Sequence, residues 1–296
     1  MKQILFRGAA TALVTPMQPD GSLDLETLSR LTEWQIQSSI SALVPCGTTG
    51  EAATLTDEER FTVIQTVAKT AAGRVPVIAG AGCNDTARAE QNCLAAAAAG
   101  ADALLLVTPY YNKCTPKGLQ SHFARLASAT PLPVILYNVP SRTGVTIDME
   151  SRRKLSKVDN IIGLKEASTD FSLIHQHLLE LGDTLPLYSG NDDLTLPLMS
   201  LGAHGCISVL SNLLPHSTEA LCQAILQNDL PAARSLHYSL LPLMKSLFCE
   251  VNPIPVKAAM ELLGLCGGEL RLPLCRMSER HLEQLSHALE PFRPAV

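Results

Sequence analysis

Residues 161–166 read Ile161-Ile162-Gly163-Leu164-Lys165-Glu166. An apolar run without polar alternation is the pattern of a strand buried on both faces, as in a parallel sheet. A lysine at the end of such a strand must emerge at a mouth or meet a partner, because an unpaired buried ammonium is costly. The same kind of run recurs to either side. Val134–Asn138 precedes it and Leu185–Ser189 follows. Farther out lie Ala9–Val14, Ala42–Pro45, Val75–Ala79, Ala103–Thr108 and Cys206–Leu210. Helical stretches separate these runs. Leu23, Leu25, Leu28, Leu31 and Ile36 fall near helical spacing, and Thr56-Asp57-Glu58-Glu59 is a capping box. Asn84 or Asp85 caps an Ala-rich segment ending at Gly100.

Eight strand-like runs alternating with helices predict an α/β chain closed as a (β/α)8 TIM barrel. An open doubly wound sheet would place a GxGxxG turn after the first strand; Thr15-Pro16-Met17 stands there instead. Past Asn228 the strand pattern stops. Leu-rich segments broken by Pro231, Pro242, Pro253, Pro255 and Pro273 predict a small C-terminal all-helical domain. The expected division is 1–228 for the barrel and 229–296 for the helical domain.

The composition sets the class. The chain has 296 residues, 46% of them hydrophobic and 17% charged. A chain of this length buries about three-quarters of its unfolded surface, enough for a large core. Lys and Arg number 23 against 28 Asp and Glu, and no basic run breaks the net charge of −5. Nucleic acid is therefore not an expected partner. Nine cysteines without a CxxC pair signal neither a zinc site nor a redox motif, and most sit in apolar stretches. A reduced, cytoplasmic protein is expected. The apolar run from Cys93 to Pro109 is interrupted by Gly100 and Asp102, so no membrane span is expected. Arg7 and Gly8 break the N-terminal apolar run too early for a signal peptide.

In a barrel the reactive groups come from the C-terminal ends of the strands. Unusual residues collect there: Gly47-Thr48-Thr49-Gly50-Glu51, Pro109-Tyr110-Tyr111-Asn112, Tyr137 through Gly144, Lys165, and Ser189-Gly190-Asn191-Asp192. One reading of Lys165 is a structural cation paired with Glu51 or Glu166. The other is an amine nucleophile. At an ordinary pKa near ~10.4, fewer than about one lysine in a thousand is neutral at pH 7. Burial and the neighbouring charge of Arg142 would both lower that value. A neutral amine forms an imine with a carbonyl substrate, and the imine yields an enamine that attacks an aldehyde. Tyr137 lies 28 positions earlier, one βα unit, which predicts a phenol beside the amine able to shuttle protons. Tyr137 could equally be a rim residue packing its ring. Thr48 and Thr49 are either turn residues or, between glycines, groups that meet a ligand carboxylate. Arg142 suits bidentate carboxylate capture at a barrel mouth. The eight histidines are scattered, and no metal constellation is apparent.

Taken together, and with Ala12-Leu13-Val14-Thr15-Pro16-Met17 and Gly205-Cys206-Ile207-Ser208, the chain resembles the dihydrodipicolinate synthase family of Schiff-base aldolases nearly end to end. The resemblance implies a lyase that condenses pyruvate with L-aspartate 4-semialdehyde in diaminopimelate and lysine synthesis, without an external cofactor. It implies Lys165 as the Schiff-base lysine, Tyr137 as the general acid/base and Thr48 as the relay hydroxyl. Tyr111 corresponds to the relay tyrosine that the family donates across a dimer interface. Thr49 corresponds to the binder of the pyruvate carboxylate, with Gly190 and Ile207 lining that pocket. Arg142 corresponds to the binder of the semialdehyde carboxylate. A homotetramer, a dimer of dimers, is the implied assembly.

Two alternatives stay open. A sister aldolase would keep the pyruvate imine and change the acceptor, and a non-catalytic paralogue would be expected to lose one of Lys165, Tyr137, Thr48 or Tyr111. The chain departs from the family's pattern around the position of Asn84. Lysine-inhibited members carry a glutamate one helical turn after the position of Asn84, where this chain has Arg88, and histidines where it has Asp57 and Arg60. Tyr110 and Asn84 remain. Lysine inhibition is therefore expected to be weak or absent. Cys46, beside the Gly47-Thr48 turn, is expected to be an inert packing residue, and Cys114 has no assigned role.

Overall fold

The computed structural model describes residues 2–293. Eight parallel strands form the centre: β1 Gly8–Ala12, β2 Ala42–Val44, β3 Ile78–Gly80, β4 Ala103–Val107, β5 Val134–Asn138, β6 Ile161–Glu166, β7 Leu187–Ser189 and β8 Gly205–Ser208. Their order around the sheet is β2-β1-β8-β7-β6-β5-β4-β3. A parallel bridge between Leu43 and Val77 joins the two outer strands and closes the barrel. Leu43 N–H donates to Pro76 O at 3.0 Å across that seam, and Gly80 N–H to Pro45 O at 2.9 Å. Ala10, Ala42, Ile78, Ala103, Ile135, Ile162 and Ile207 fill the barrel interior, while the outward faces pack on the helices.

The helices are α1 Leu25–Gln37, α2 Asp57–Ala71, α3 Thr86–Ala98, α4 Pro116–Ser128, α5 Pro140–Thr143, α6 Met149–Leu155, α7 Phe171–Leu181, α8 Thr195–Ser200 and α9 Pro215–Leu226. The C-terminal segment adds α10 Leu230–Ser246, α11 Ile254–Leu262 and α12 Glu279–Leu289. The Thr56–Glu59 capping box forms in both directions at α2. Asp85, not Asn84, caps α3. Gly100 follows the α3 C-cap at φ +94°, a conformation that favours glycine. Among the described residues, no helix is long and apolar enough to cross a membrane.

Two strands start later than their apolar runs and one stops earlier, for identifiable reasons. Pro76 and Pro186 have no N–H to give the ladder, so regular pairing begins beyond each, in β3 and β7. At β8, the N–H groups of Val209 and Leu210 turn to Asp192 Oδ2 at 3.0 and 2.9 Å, which ends the strand at Ser208. Pro242 lies inside α10 rather than breaking it. It is exposed there, so the missing backbone hydrogen bond falls on the solvent face.

Candidate active site

Adjacent strands set the centre of the site. Tyr137 of β5 and Lys165 of β6 are register partners, and Lys165 Nζ lies 4.4 Å from the centroid of the Tyr137 ring. Both open into a cavity of about 370 Å³ at the C-terminal mouth of the barrel. Thr48, Thr49, Arg142 and Gly190 line the same cavity.

Neither carboxylate offered as a structural partner for Lys165 is free. Glu166 Oε2 is paired with Arg152 at 2.5 Å, both side chains fully buried. Its Oε1 accepts from Asn138 Nδ2 and from Ser168 N–H, each at 2.8 Å. Glu51 Oε1 is paired with Lys257 at 2.7 Å, again fully buried. Among the described residues no carboxylate lies within ion-pair distance of Lys165. Burial therefore drives its pKa from 10.5 down to about 8, with Asp192 and Cys206 opposing the shift and Arg142 assisting it. At that value about one-tenth of the amine is neutral at pH 7, against well under ~0.1% for an ordinary lysine.

Burial also raises the Tyr137 pKa, partly offset by the Arg142 charge and by Thr48. The phenol thus stays protonated at neutral pH, as a proton donor must. Gly190 is required by the lysine's path. A Cβ there would stand 3.1 Å from Lys165 Cε and 2.8 Å from Ala167 Cβ. Thr49 is held by Asn252, whose Nδ2 donates to Thr49 Oγ1 at 3.0 Å. Arg142, in the short helix α5, donates from Nη2 to Asn252 O at 3.1 Å.

Two expected site residues lie elsewhere. Ile207 is fully buried in the barrel interior opposite Ala10, and Val209, two residues on, takes the place at the cavity wall. Tyr111 is 92% exposed, at φ +71° on the loop after β4, and does not line the cavity of its own chain. Cys46 is buried and away from the cavity wall, with burial pushing its pKa up to about 12.

The sequence reading missed the contribution of the C-terminal segment. Phe248, Glu250, Val251 and Asn252 close one side of the cavity. Glu250 Oε1 accepts from Ser278 Oγ at 2.6 Å and meets His281 Nδ1 at 2.7 Å, which ties this wall to the start of α12. Asp192 was quoted only as part of a strand-end loop. Buried, and held by two backbone N–H groups, it is the main charge opposing the shift at Lys165. The one local signal for Asn252 is a polar residue entering a Pro-x-Pro stretch, which reads as a turn.

A buried amine of lowered pKa beside a protonated phenol, with hydroxyl and guanidinium groups around a small cavity, is equipped for imine chemistry on a carboxylate-bearing carbonyl compound. Comparison with known proteins agrees. The chain is 49% identical over 292 residues to a 4-hydroxy-tetrahydrodipicolinate synthase of Exiguobacterium sibiricum, covering 99% of this chain and 100% of that one. A synthase of the same name from Nitrosococcus oceani is 47% identical, covering 96% and 98%. The crystal structure of dihydrodipicolinate synthase from Aquifex aeolicus superposes with a TM-score of 0.94 at 43% identity, covering 97% and 98%. So does the chloride-inhibited enzyme of Acinetobacter baumannii complexed with pyruvate, TM-score 0.94 at 42% identity, covering 96% and 98%. Residues 5–291 match the Dihydrodipicolinate synthetase family, and the chain belongs to that family.

Proposed function

We propose that the protein is a 4-hydroxy-tetrahydrodipicolinate synthase, a Schiff-base lyase that condenses pyruvate with L-aspartate 4-semialdehyde. The observation that carries this reading is Lys165: buried, without an ion-pair partner among the described residues, and seated against Tyr137.

In this mechanism the neutral Lys165 amine attacks C2 of pyruvate. Tyr137 protonates the departing hydroxyl, and water leaves as the imine forms. Loss of a C3 proton gives the enamine, whose C3 attacks the aldehyde carbon of the second substrate. The α-amine of that substrate then attacks the imine carbon and displaces Lys165, closing the ring and regenerating the enzyme. The lysine serves as electron sink, so no external cofactor enters. Thr48 relays protons to Tyr137, Thr49 holds the pyruvate carboxylate, and Arg142 holds the carboxylate of the semialdehyde. Residues 1–228 form the catalytic barrel in this reading, and 229–296 form a helical domain that walls the site.

The exposed, left-handed Tyr111 supports an assembly in which a second copy receives its ring, consistent with a dimer-based tetramer in the cytoplasm. Intact mass after incubation with pyruvate and borohydride tests the reading. One reduced pyruvyl adduct, absent from Lys165→Ala, is expected. A folded protein that gives no adduct would remove the nucleophile and the function with it.

A further inference from the structure

Asn252 is 6% exposed and is the one residue bonded to both proposed carboxylate binders among the described residues. Those binders stand on loops after β2 and β5, strands that are not neighbours in the sheet. The segment carrying Asn252 is fixed independently of these bonds. Lys257 pairs with Glu51 at 2.7 Å, and Arg271 N–H donates to the same carboxylate at 3.1 Å. The loop Gly47–Glu51 and the start of α11 therefore move as one piece.

The polarity of the Asn252–Thr49 contact matters more than its existence. A hydroxyl has one proton and two lone pairs. The Asn252 amide N–H occupies a lone pair of Thr49 Oγ1, so the threonine proton is left to donate, and it has no acceptor among the described residues. A ligand carboxylate only accepts. Asn252 Oδ1, by contrast, is sealed from solvent with no donor in reach. A buried unpaired carbonyl is destabilising. Turning the amide over would satisfy it with the Thr49 proton, but would leave only lone pairs facing the ligand.

We propose that Asn252 is a positioning residue for the condensation. Its side-chain amide presets Thr49 as a hydrogen-bond donor to the pyruvate carboxylate, and its backbone carbonyl sets the reach of Arg142 to the second substrate. The proposal rests on the reading of Thr49 and Arg142 given above, and it makes the C-terminal segment part of substrate recognition.

Steady-state kinetics on Asn252→Asp and Asn252→Ala test it. Aspartate keeps the shape but accepts the Thr49 proton and turns lone pairs and charge toward pyruvate. Asn252→Asp is expected to raise KM for pyruvate about 100-fold and Asn252→Ala about 10-fold, with kcat at saturation within about threefold. KM for the semialdehyde is expected to stay within about threefold, because both variants keep the backbone carbonyl that meets Arg142. A residue that only fills space would be rescued by aspartate, so a wild-type pyruvate KM in folded Asn252→Asp overturns the proposal. Should that variant not fold, Asn252→Ala combined with Thr49→Val decides. Asn252→Ala is expected to add less than about twofold to pyruvate KM when the Thr49 hydroxyl is already gone. Additive effects overturn the proposal alone. An unchanged pyruvate KM in Thr49→Val overturns the Thr49 reading and this proposal with it.

Discussion

Lys165 Nζ sits 4.4 Å from the centre of the Tyr137 ring, and the two residues are paired across β5 and β6. The ring face favours the ammonium while burial favours the amine. Burial prevails, leaving a pKa of about 8. Borohydride trapping of pyruvate at limiting reaction time is therefore expected to rise with pH through a midpoint near 8. Tyr137→Phe keeps the ring face and loses the proton donor. It should lower kcat about 10²–10⁴-fold and leave the trapping midpoint in place. A midpoint near the ordinary lysine value in the wild type would contradict the assigned burial effect.

The same burial costs stability. Below pH 8 Lys165 is charged in both the folded and the unfolded chain, and the folded chain carries the full penalty. Between about 8 and 10.5 the folded chain releases its proton first, so the penalty fades as pH rises. Lys165→Met is expected to stabilise the protein at pH 7, by at most about 3 kcal/mol. The gain should shrink toward pH 10. Denaturant midpoints at the two pH values measure it, and a variant less stable than wild type at pH 7 would show that Lys165 makes a net favourable contact.

Glu51 and Lys257 are fully buried partners joining the β2 loop to α11. Lys257→Met leaves the buried carboxylate without its ion-pair partner and is expected to cost about 3–5 kcal/mol, read from the shift in urea midpoint. A loss under about 1 kcal/mol would mean that the Arg271 N–H is sufficient for Glu51.

Tyr111 is exposed and does not line its own cavity. If a second copy receives it, Lys165→Ala and Tyr111→Phe are each nearly inactive alone but regain activity when unfolded together and refolded as mixed assemblies. In the mixed pair one site combines an intact Lys165 with an intact Tyr111. Absence of recovery in mixed assemblies would place Tyr111 outside the site.

Arg88 Nη2 lies 3.3 Å from Asp57 Oδ1, both side chains exposed, and Arg60 donates to Ala52 O and Gly80 O nearby. Cations at these positions disfavour a cationic effector. Activity is expected to fall by less than about half in millimolar lysine, and strong inhibition in an activity assay would refute this.

Much of the fold was legible because its signals are local. Two-sided burial removes polar alternation from every strand, and the Thr56 capping box and Gly100 mark helix ends by chemistry confined to a few residues. Lys165 and Tyr137 stood out for the same reason: each is a polar residue closing an apolar run. Ile207 was expected at the pocket from the family resemblance alone; its side chain lies in the barrel interior, and Val209 lines the cavity.

The sequence by itself determined the alternation of strands and helices and the set of reactive groups at strand ends, since these follow from periodicity and from the intrinsic chemistry of single residues. Only the tertiary structure decided which charges pair. Glu166 belongs to Arg152 and Glu51 to Lys257, which leaves Lys165 without a carboxylate partner among the described residues. The tertiary structure alone also brought Asn252 to Thr49 across 203 positions. Contacts at that separation arise from packing the closed barrel against the C-terminal helices, and no spacing within either segment encodes them.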